Sequence, residues 1–264
     1  MADKVLITGG SGGIGAAAVR ACAARGAWPV AGYCNNRAAA AETVRQCGAG
    51  EILHLDLTRD DLGITGGLPR VDRLMHCAGL LSSQRSLLAT QTEELQALFA
   101  AHVFGPLKLT KQLLASGSPL KHVLFVLSSA AGCRGSGPYA LSKAAALAAC
   151  KLLAGELAPR GIQLTAFVPG WTDTAMAAAA ARDSQRDLEE IKLQHLDGRI
   201  LSADEAGGFC VRCLFDATGD AAGRLFVWDR RDSREPVQLD FQQVFSLDAP
   251  AESWAVDGQG SFDS

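Results

Sequence analysis

The sequence predicts an α/β protein built as one domain, with its ligand site along the carboxyl edge of an open sheet. Three observations predict it. Short apolar runs that read as buried strands alternate with helix-forming stretches, and the first strand passes through a glycine turn into a helix. A later strand ends in two hydroxyls just ahead of a helix carrying Tyr139-x-x-x-Lys143. At 264 residues the chain holds enough material for a substantial core, and no internal repeat or linker divides it.

Composition narrows the function. The formal net charge is -3 and no Lys/Arg cluster stands out, which argues against nucleic acid or an anionic membrane as partner. The eight cysteines are scattered, and the close pair Cys210 and Cys213 lacks the further ligands of a zinc site. They read as free thiols of a reducing compartment, and no metal is expected. The amino end enters a strand without a signal-peptide core, and the longest apolar region, 144–158, is interrupted by Lys151 and Glu156. A soluble, cytoplasmic protein is expected.

In chain order, Val5-Leu6-Ile7 is a short buried strand, and Thr8-Gly9-Gly10-Ser11-Gly12-Gly13-Ile14-Gly15 leads from it into the helix former Ala16-Ala17-Ala18. A dinucleotide site requires this order. Glycines let the backbone approach a pyrophosphate, and the helix's unpaired N–H groups and positive dipole end attract it. Gly10, Gly12 and Gly15 also satisfy G-x-G-x-x-G, so spacing leaves the register of the turn open.

Further along, Val123-Leu124-Phe125-Val126-Leu127 reads as a buried strand ending in Ser128-Ser129. Tyr139 and Lys143 are four residues apart and share a helix face. A cation near a phenol favours its ionised form and brings proton exchange within reach of neutral pH.

The conjunction of Thr8-Gly9-x-x-x-Gly13-Ile14-Gly15, Ser129 and Tyr139-x-x-x-Lys143 resembles the compact branch of the short-chain dehydrogenase/reductases, over roughly residues 4–230. The resemblance implies a Rossmann-like doubly wound parallel sheet with helices on both faces, binding NAD(H) or NADP(H). It implies Ser129, Tyr139 and Lys143 as catalytic residues, with Ser129 preferred over Ser128 because Ala130-Ala131-Gly132 follows it. In the turn it assigns Thr8, Gly9, Ser11, Gly13, Ile14 and Gly15 to the cofactor. It adds Asp56 and Leu57 at the adenine, Ala78 and Gly79 at a ribose, and Pro169, Gly170 and Thr174 beside the nicotinamide. Asp56 reads equally well as a helix N-cap.

Four departures from the family pattern matter. Past the second strand, Val30 to Tyr33, no carboxylate stands where one would bind a ribose 2′-hydroxyl; Cys34 occupies the place, with Asn35 and Arg37 beside it. NADP(H) is therefore preferred over NAD(H), unless Arg37 only caps the surface of the next helix. His76 and Cys77 replace two Asn before Ala78-Gly79, so the hydrogen bonds of an Asn must come from His76 or be lost. His102 replaces the Asn whose bound water relays protons to the lysine, and it is either a catalytic substitute in that relay or a buried neutral ring in a kink of helix 92–114. Finally, only ten positions separate Ser129 from Tyr139, and the shortened loop, 133–138, reshapes the substrate mouth.

The helix from Tyr139 to about Leu157 is apolar on more than one face, and in the family its counterpart packs against another subunit, so a homodimer or homotetramer is expected. Residues 175–201 should form a helical lid, with Trp171 either lining the pocket or in the core. The domain is expected to span 1–245, followed by a polar, acidic tail over 246–264 that should be mobile. These features point to NADPH-dependent reduction of a small carbonyl substrate, or the reverse alcohol oxidation. A cofactor-binding regulator that has lost turnover, or an epimerase or dehydratase on the same scaffold, are the alternatives.

Overall fold

The computed structural model describes residues 2–82, 84, 86–132, 137–216, 223–239 and 241. Most of the shortened loop and the whole tail expected over 246–264 lie outside the described residues.

Strands and helices alternate from the start: β1 (Lys4–Ile7), α1 (Gly13–Ala24), β2 (Trp28–Tyr33), α2 (Arg37–Cys47), β3 (Glu51–His54) and β4 (Arg73–His76). Then come α3 (Thr92–Phe99), α4 (Gly105–Ala115), β5 (His122–Val126), α5 (Gly137–Leu157) and β6 (Gln163–Pro169). The last part holds β7 (Thr172–Asp173), α6 (Ala175–Asp183), α7 (Leu188–Leu193), β8 (Leu201–Ser202), α8 (Ala203–Asp216), β9 (Arg224–Trp228) and β10 (Val237–Leu239). The main sheet has the order β10-β9-β6-β5-β4-β1-β2-β3, parallel except for the antiparallel edge strand β10. It is the expected Rossmann-like doubly wound sheet.

Alternation along each strand divides the core between the two faces of the sheet. Leu6, Leu74, Val123 and Phe125 pack with Leu109, Leu113 and Leu147 on the side of α4 and α5. Val5, Ile7, Met75 and Leu124 pack with Val19, Phe209, Cys210 and Leu214 on the side of α1 and α8. Strands buried on both faces read as unbroken apolar runs, which is why β5 was legible without any alternation of polar residues. Helices α1 and α8 meet closely at Gly207, where a Cβ would stand 2.7 Å from the Cβ of Ala17.

Two features position the site. Strand β1 pairs with β2 on one side and β4 on the other, so connections leave toward opposite edges and open a crevice above the carboxyl ends. The helix expected over 92–114 is broken by a π turn, Ala100–Phe104, in which the Gly105 N–H bonds the Ala100 carbonyl. Pro106 follows and has no N–H to give, so the regular ladder cannot run through this point. The extra residue of the π turn puts Ala101, His102 and Val103 all into the interior.

Candidate active site

One cavity of about 1260 Å³ lies over the carboxyl edge of the sheet. Its walls include Thr8, Gly9, Ser11, Gly13 and Ile14 of the glycine turn, Asn35, Asp56 and Leu57 beyond β2 and β3, and Ala78 and Gly79 beyond β4. Ser129, Tyr139, Lys143, Pro169, Gly170 and Thr174 complete the set of expected residues that line it. Three expected residues do not reach its surface. Gly15 lies beneath the turn, Arg37 is exposed at the start of α2, and His102 is buried behind the wall.

The backbone resolves the register of the turn. Gly9 and Gly13 have φ of 72° and 51°, which favours glycine. At Gly15 a Cβ would lie 2.2 Å from the Gly9 carbonyl oxygen, so the turn folds back onto its own helix. Gly12, by contrast, has open space where its Cβ would be. The turn therefore follows the Thr-Gly-x-x-x-Gly-x-Gly pattern. Gly12 caps α1 without any side-chain hydrogen bond, and the first turn of α1 carries no acidic residue. Free N–H groups with no competing carboxylate fit the phosphates of a dinucleotide.

After β4 the backbone is held by Thr8, and the His76 ring bonds Thr110. The buried Thr8 hydroxyl oxygen accepts the N–H groups of Cys77 and Ala78, both at 3.0 Å. His76 points the other way, its Nε2 3.0 Å from Thr110 Oγ1, whose own proton goes to the Pro106 carbonyl at 2.9 Å. Nε2–H is thus the donor. Nδ1 is buried without a partner among the described residues, and burial pushes the imidazole pKa down to about 3.

Beyond β2 the wall carries no carboxylate at position 34. Burial, then the neighbouring Asp56, raises the Cys34 thiol above its ordinary range, leaving it uncharged near neutrality. The Asn36 side chain is used as the N-cap of α2, accepting from the Ala39 N–H at 3.0 Å. Arg37 makes no ion pair among the described residues. The Asp56 carboxylate accepts from the Thr58 N–H and hydroxyl at 2.9 and 2.7 Å, and that hydroxyl bond is the main cause holding its pKa below the usual range.

At the far end of the cavity, Ser128 Oγ accepts the Ala130 N–H at 3.2 Å at the start of the 3₁₀ turn Ser129–Gly132, and the Ser128 carbonyl accepts the Ala131 N–H at 2.9 Å. Among the described residues the Ser129 hydroxyl makes no hydrogen bond. Lys143 is buried, its Nζ 5.8 Å from the Tyr139 ring centroid and donating to the Val126 carbonyl at 3.3 Å. A hydroxyl from a strand end, a phenol and an ammonium thus face one cleft. Behind them His102 Nε2 accepts the Leu80 N–H at 3.0 Å, and its Nδ1 lies 2.8 Å from Ser142 Oγ.

Sequence reasoning missed the cations at the mouth. Arg186, between α6 and α7, and Arg231, beyond β9, both line the cavity. Arg231 is held by the buried Asp229 through an Nη2–Oδ2 contact of 2.5 Å. Their placement depends on the pairing of β9 with β6, which sets Trp228 opposite Pro169 and brings the residues after it out beside Gly170. Trp171 both lines the cavity and packs on a small cluster of Ala181, Ile191 and Ile200, combining the two roles considered for it. Among the described residues no group of three or more His, Cys, Asp or Glu is arranged to hold a metal ion, and no helix is long and apolar enough to cross a membrane.

Residues 9–230 match the family described as enoyl-(acyl carrier protein) reductase. An uncharacterized oxidoreductase of Bacillus subtilis is 33% identical over 192 residues, covering 67% of this chain and 77% of that protein. A 3-oxoacyl-[acyl-carrier-protein] reductase of Escherichia coli is 29% identical over 221 residues, covering 76% and 90%. An uncharacterized short-chain type dehydrogenase/reductase of Sinorhizobium fredii is 29% identical, and this chain spans only 38% of its length. Among solved structures, a 3-ketoacyl-(acyl-carrier-protein) reductase of Brucella melitensis complexed with NADH superposes with a TM-score of 0.73 at 21% identity, over 88% of this chain and 98% of that one. With the glycine turn, the serine at the strand end and the Tyr-Lys helix converging on one cavity, this chain belongs to the short-chain dehydrogenase/reductase family of NAD(P)-dependent oxidoreductases.

Proposed function

We propose that the protein reduces a small-molecule carbonyl compound with NADPH, or runs the reverse alcohol oxidation. The observation that carries this reading is a cavity lined at one end by the glycine turn and at the other by Ser129, Tyr139 and Lys143. The bound nicotinamide supplies or takes the hydride. The chain does the rest: the Ser129 and Tyr139 hydroxyls polarise the carbonyl oxygen, and Tyr139 gives it a proton. Two donors fixed before the reaction stabilise the charge that develops on that oxygen without reorganising. Lys143, anchored on the Val126 carbonyl, keeps further protons for the nicotinamide ribose and compensates the charge left on Tyr139. Thr8, Gly9, Ser11, Gly13 and Ile14 would hold the pyrophosphate, with Gly15 supporting the turn from beneath; Asp56 and Leu57 would hold the adenine, Ala78 and Gly79 a ribose, and Pro169, Gly170 and Thr174 the carboxamide end.

For NADP(H) over NAD(H) the support is local. Position 34 is uncharged, so nothing there repels a 2′-phosphate, and Arg37 at the first turn of α2 is a cation without an ion pair among the described residues. The Brucella melitensis structure carries NADH, so the fold by itself does not choose.

A homodimer or homotetramer is part of the same proposal. Leu141 and Leu152 of α5 are 42% and 70% exposed, and at eleven residues apart they share one helix face, the face a second copy of α5 would cover. The seven described cysteines are free thiols, in keeping with a cytoplasmic location. The test of the reaction is NADPH oxidation followed by absorbance across ketones, quinones and acyl thioesters, with NADPH binding measured alongside. Turnover of at least one carbonyl class is expected. Tight binding without turnover on the whole panel would instead support a regulatory protein.

A further inference from the structure

Among the buried groups that the proposed reaction leaves unused, one bridges the wall of the cavity. We propose that His102 is a positioning residue: its imidazole ties the backbone of Leu80, on the cavity wall, to the helix that carries Tyr139 and Lys143. The inference rests on the reading of those two residues given above.

The directions of the hydrogen bonds are forced. The Leu80 N–H can only donate, so Nε2 of His102 must accept it, and the ring proton sits on Nδ1. Nδ1–H then donates to Ser142 Oγ at 2.8 Å. Ser142 passes its own proton to the Tyr139 carbonyl, also at 2.8 Å, one turn back along α5. A chain of three bonds therefore runs from Leu80 N–H through His102 and Ser142 to the backbone of Tyr139, and every donor along it meets an acceptor. The other tautomer would set an N–H against the Leu80 N–H and leave Ser142 Oγ facing a lone pair.

The same geometry argues against a relay. Both ring nitrogens are occupied, and the ring is 3% exposed. Protonation would also place an N–H against Leu80 beside the Lys143 ammonium. Burial first and that ammonium second push the imidazole pKa down to about 2, so the ring neither gains nor loses a proton near neutrality.

What the tie holds is the corner of the site. A Cβ at Gly79 would fall 3.0 Å from His102 Nε2 and 3.7 Å from Lys143 Nζ, so the backbone there lies directly against both. The ring also meets Tyr139 edge to face, with centroids 5.5 Å apart and planes at 87°. Loss of the tie would leave the Leu80 amide unpaired and remove the backing of both catalytic side chains. An imidazole can do this because its two nitrogens reach partners on opposite sides. The shorter carboxamide of an Asn at position 102 would end near the Nδ1 position and fall short of Leu80.

The test uses the full chain with NADPH and four proteins: wild type, His102→Asn, His102→Gln and Ser142→Ala. In wild type, nitrogen NMR should show His102 with a protonated Nδ1 and an unprotonated Nε2, unchanged from pH 6 to 9. Hydrogen exchange at the Leu80 amide should quicken about tenfold in His102→Asn, the loss of roughly one hydrogen bond. His102→Gln, whose carbonyl can reach Leu80, should recover part of that protection. Turnover should fall about tenfold in His102→Asn without a change in the shape of its pH profile. Ser142→Ala, which removes one oxygen, should show the same signs more weakly and serves if His102→Asn does not fold. A His102 signal that titrates between pH 6 and 9 would overturn the proposal, as would unchanged Leu80 exchange in His102→Asn and Ser142→Ala. The NMR and exchange measurements need no turnover, so an absence of carbonyl reduction in wild type would count against the proposed reaction and not against the tie.

Discussion

The Ser128 hydroxyl oxygen accepts the N–H of Ala130 at 3.2 Å, and this bond separates two serines that are adjacent in sequence. Both serines line the cavity, but Ser128 Oγ is engaged by the turn after β5, whereas the Ser129 hydroxyl makes no hydrogen bond among the described residues. Ser129→Ala should lower turnover about 10²–10³-fold, the usual loss when a fixed donor to a developing oxyanion is removed. Ser128→Ala should keep turnover within a few-fold and cost about 0.5–1.5 kcal/mol of stability. Steady-state kinetics with denaturation midpoints for both variants would check the assignment, and reversed effects would exchange the two roles.

Two glycines of the opening turn should respond oppositely to alanine. At Gly15 the new Cβ would meet the Gly9 carbonyl 2.2 Å away, a backbone atom that cannot move without breaking the turn. Gly15→Ala should lose more than about 2 kcal/mol of stability, or NADPH binding, or both. At Gly12 nothing lies within 4 Å, and φ is -173°. Gly12→Ala should fold and bind NADPH, at a cost near 1 kcal/mol for the poorer helix cap. Calorimetric titration with NADPH and melting curves would measure both.

Cofactor preference should rest on the first turn of α2. Arg37→Ala should raise the Michaelis constant for NADPH about tenfold and leave that for NADH nearly unchanged, because only the former carries a phosphate for the guanidinium to meet. Cys34→Asp should go further and favour NADH, by placing a carboxylate where a ribose hydroxyl can donate to it. A wild-type protein that prefers NADH tenfold or more would reject this part of the proposal.

Stability should fall steeply in mild acid. Burial holds the pKa of His76 at about 3, of His102 at about 2 and of His122 at about 4. An unfolded histidine titrates near 6.5, so below that pH the unfolded chain binds protons that the folded one refuses. Stability is complete above about pH 6.5 and is lost as the pH falls from there toward the folded values. Each histidine contributes a slope of about 1.4 kcal/mol per pH unit within this window, so the three together approach about 4. Urea midpoints at pH 7 and pH 5 would reveal it, and His122→Gln should reduce the slope by about one proton.

What was legible in the sequence was local. The glycine turn, the strand ending in Ser129 and the Tyr139-Lys143 pair each occupy a few consecutive residues, and spacing along one strand or helix fixes where they point. What was not legible depends on contacts between distant segments. Thr8 meets Ala78 seventy residues away, and His102 joins Leu80 and Ser142 at separations of 22 and 40. No propensity encodes such partners, nor that of His76, whose ring meets Thr110, 34 residues away. The π turn arises where a helix must accommodate Pro106 and the close approach of Gly105 to Leu57, whose carbonyl oxygen would lie 2.4 Å from a Cβ there. Strand β10 is three residues of an antiparallel edge, too short to announce itself by pattern.

The central claim is that Tyr139 delivers the proton, and Tyr139→Phe tests it most directly, since the ring stays and only the hydroxyl goes. With a carbonyl substrate identified, the variant should bind NADPH within about threefold of wild type and lose about 10²–10⁴-fold in turnover. Wild-type turnover in Tyr139→Phe, with binding intact, would contradict the account.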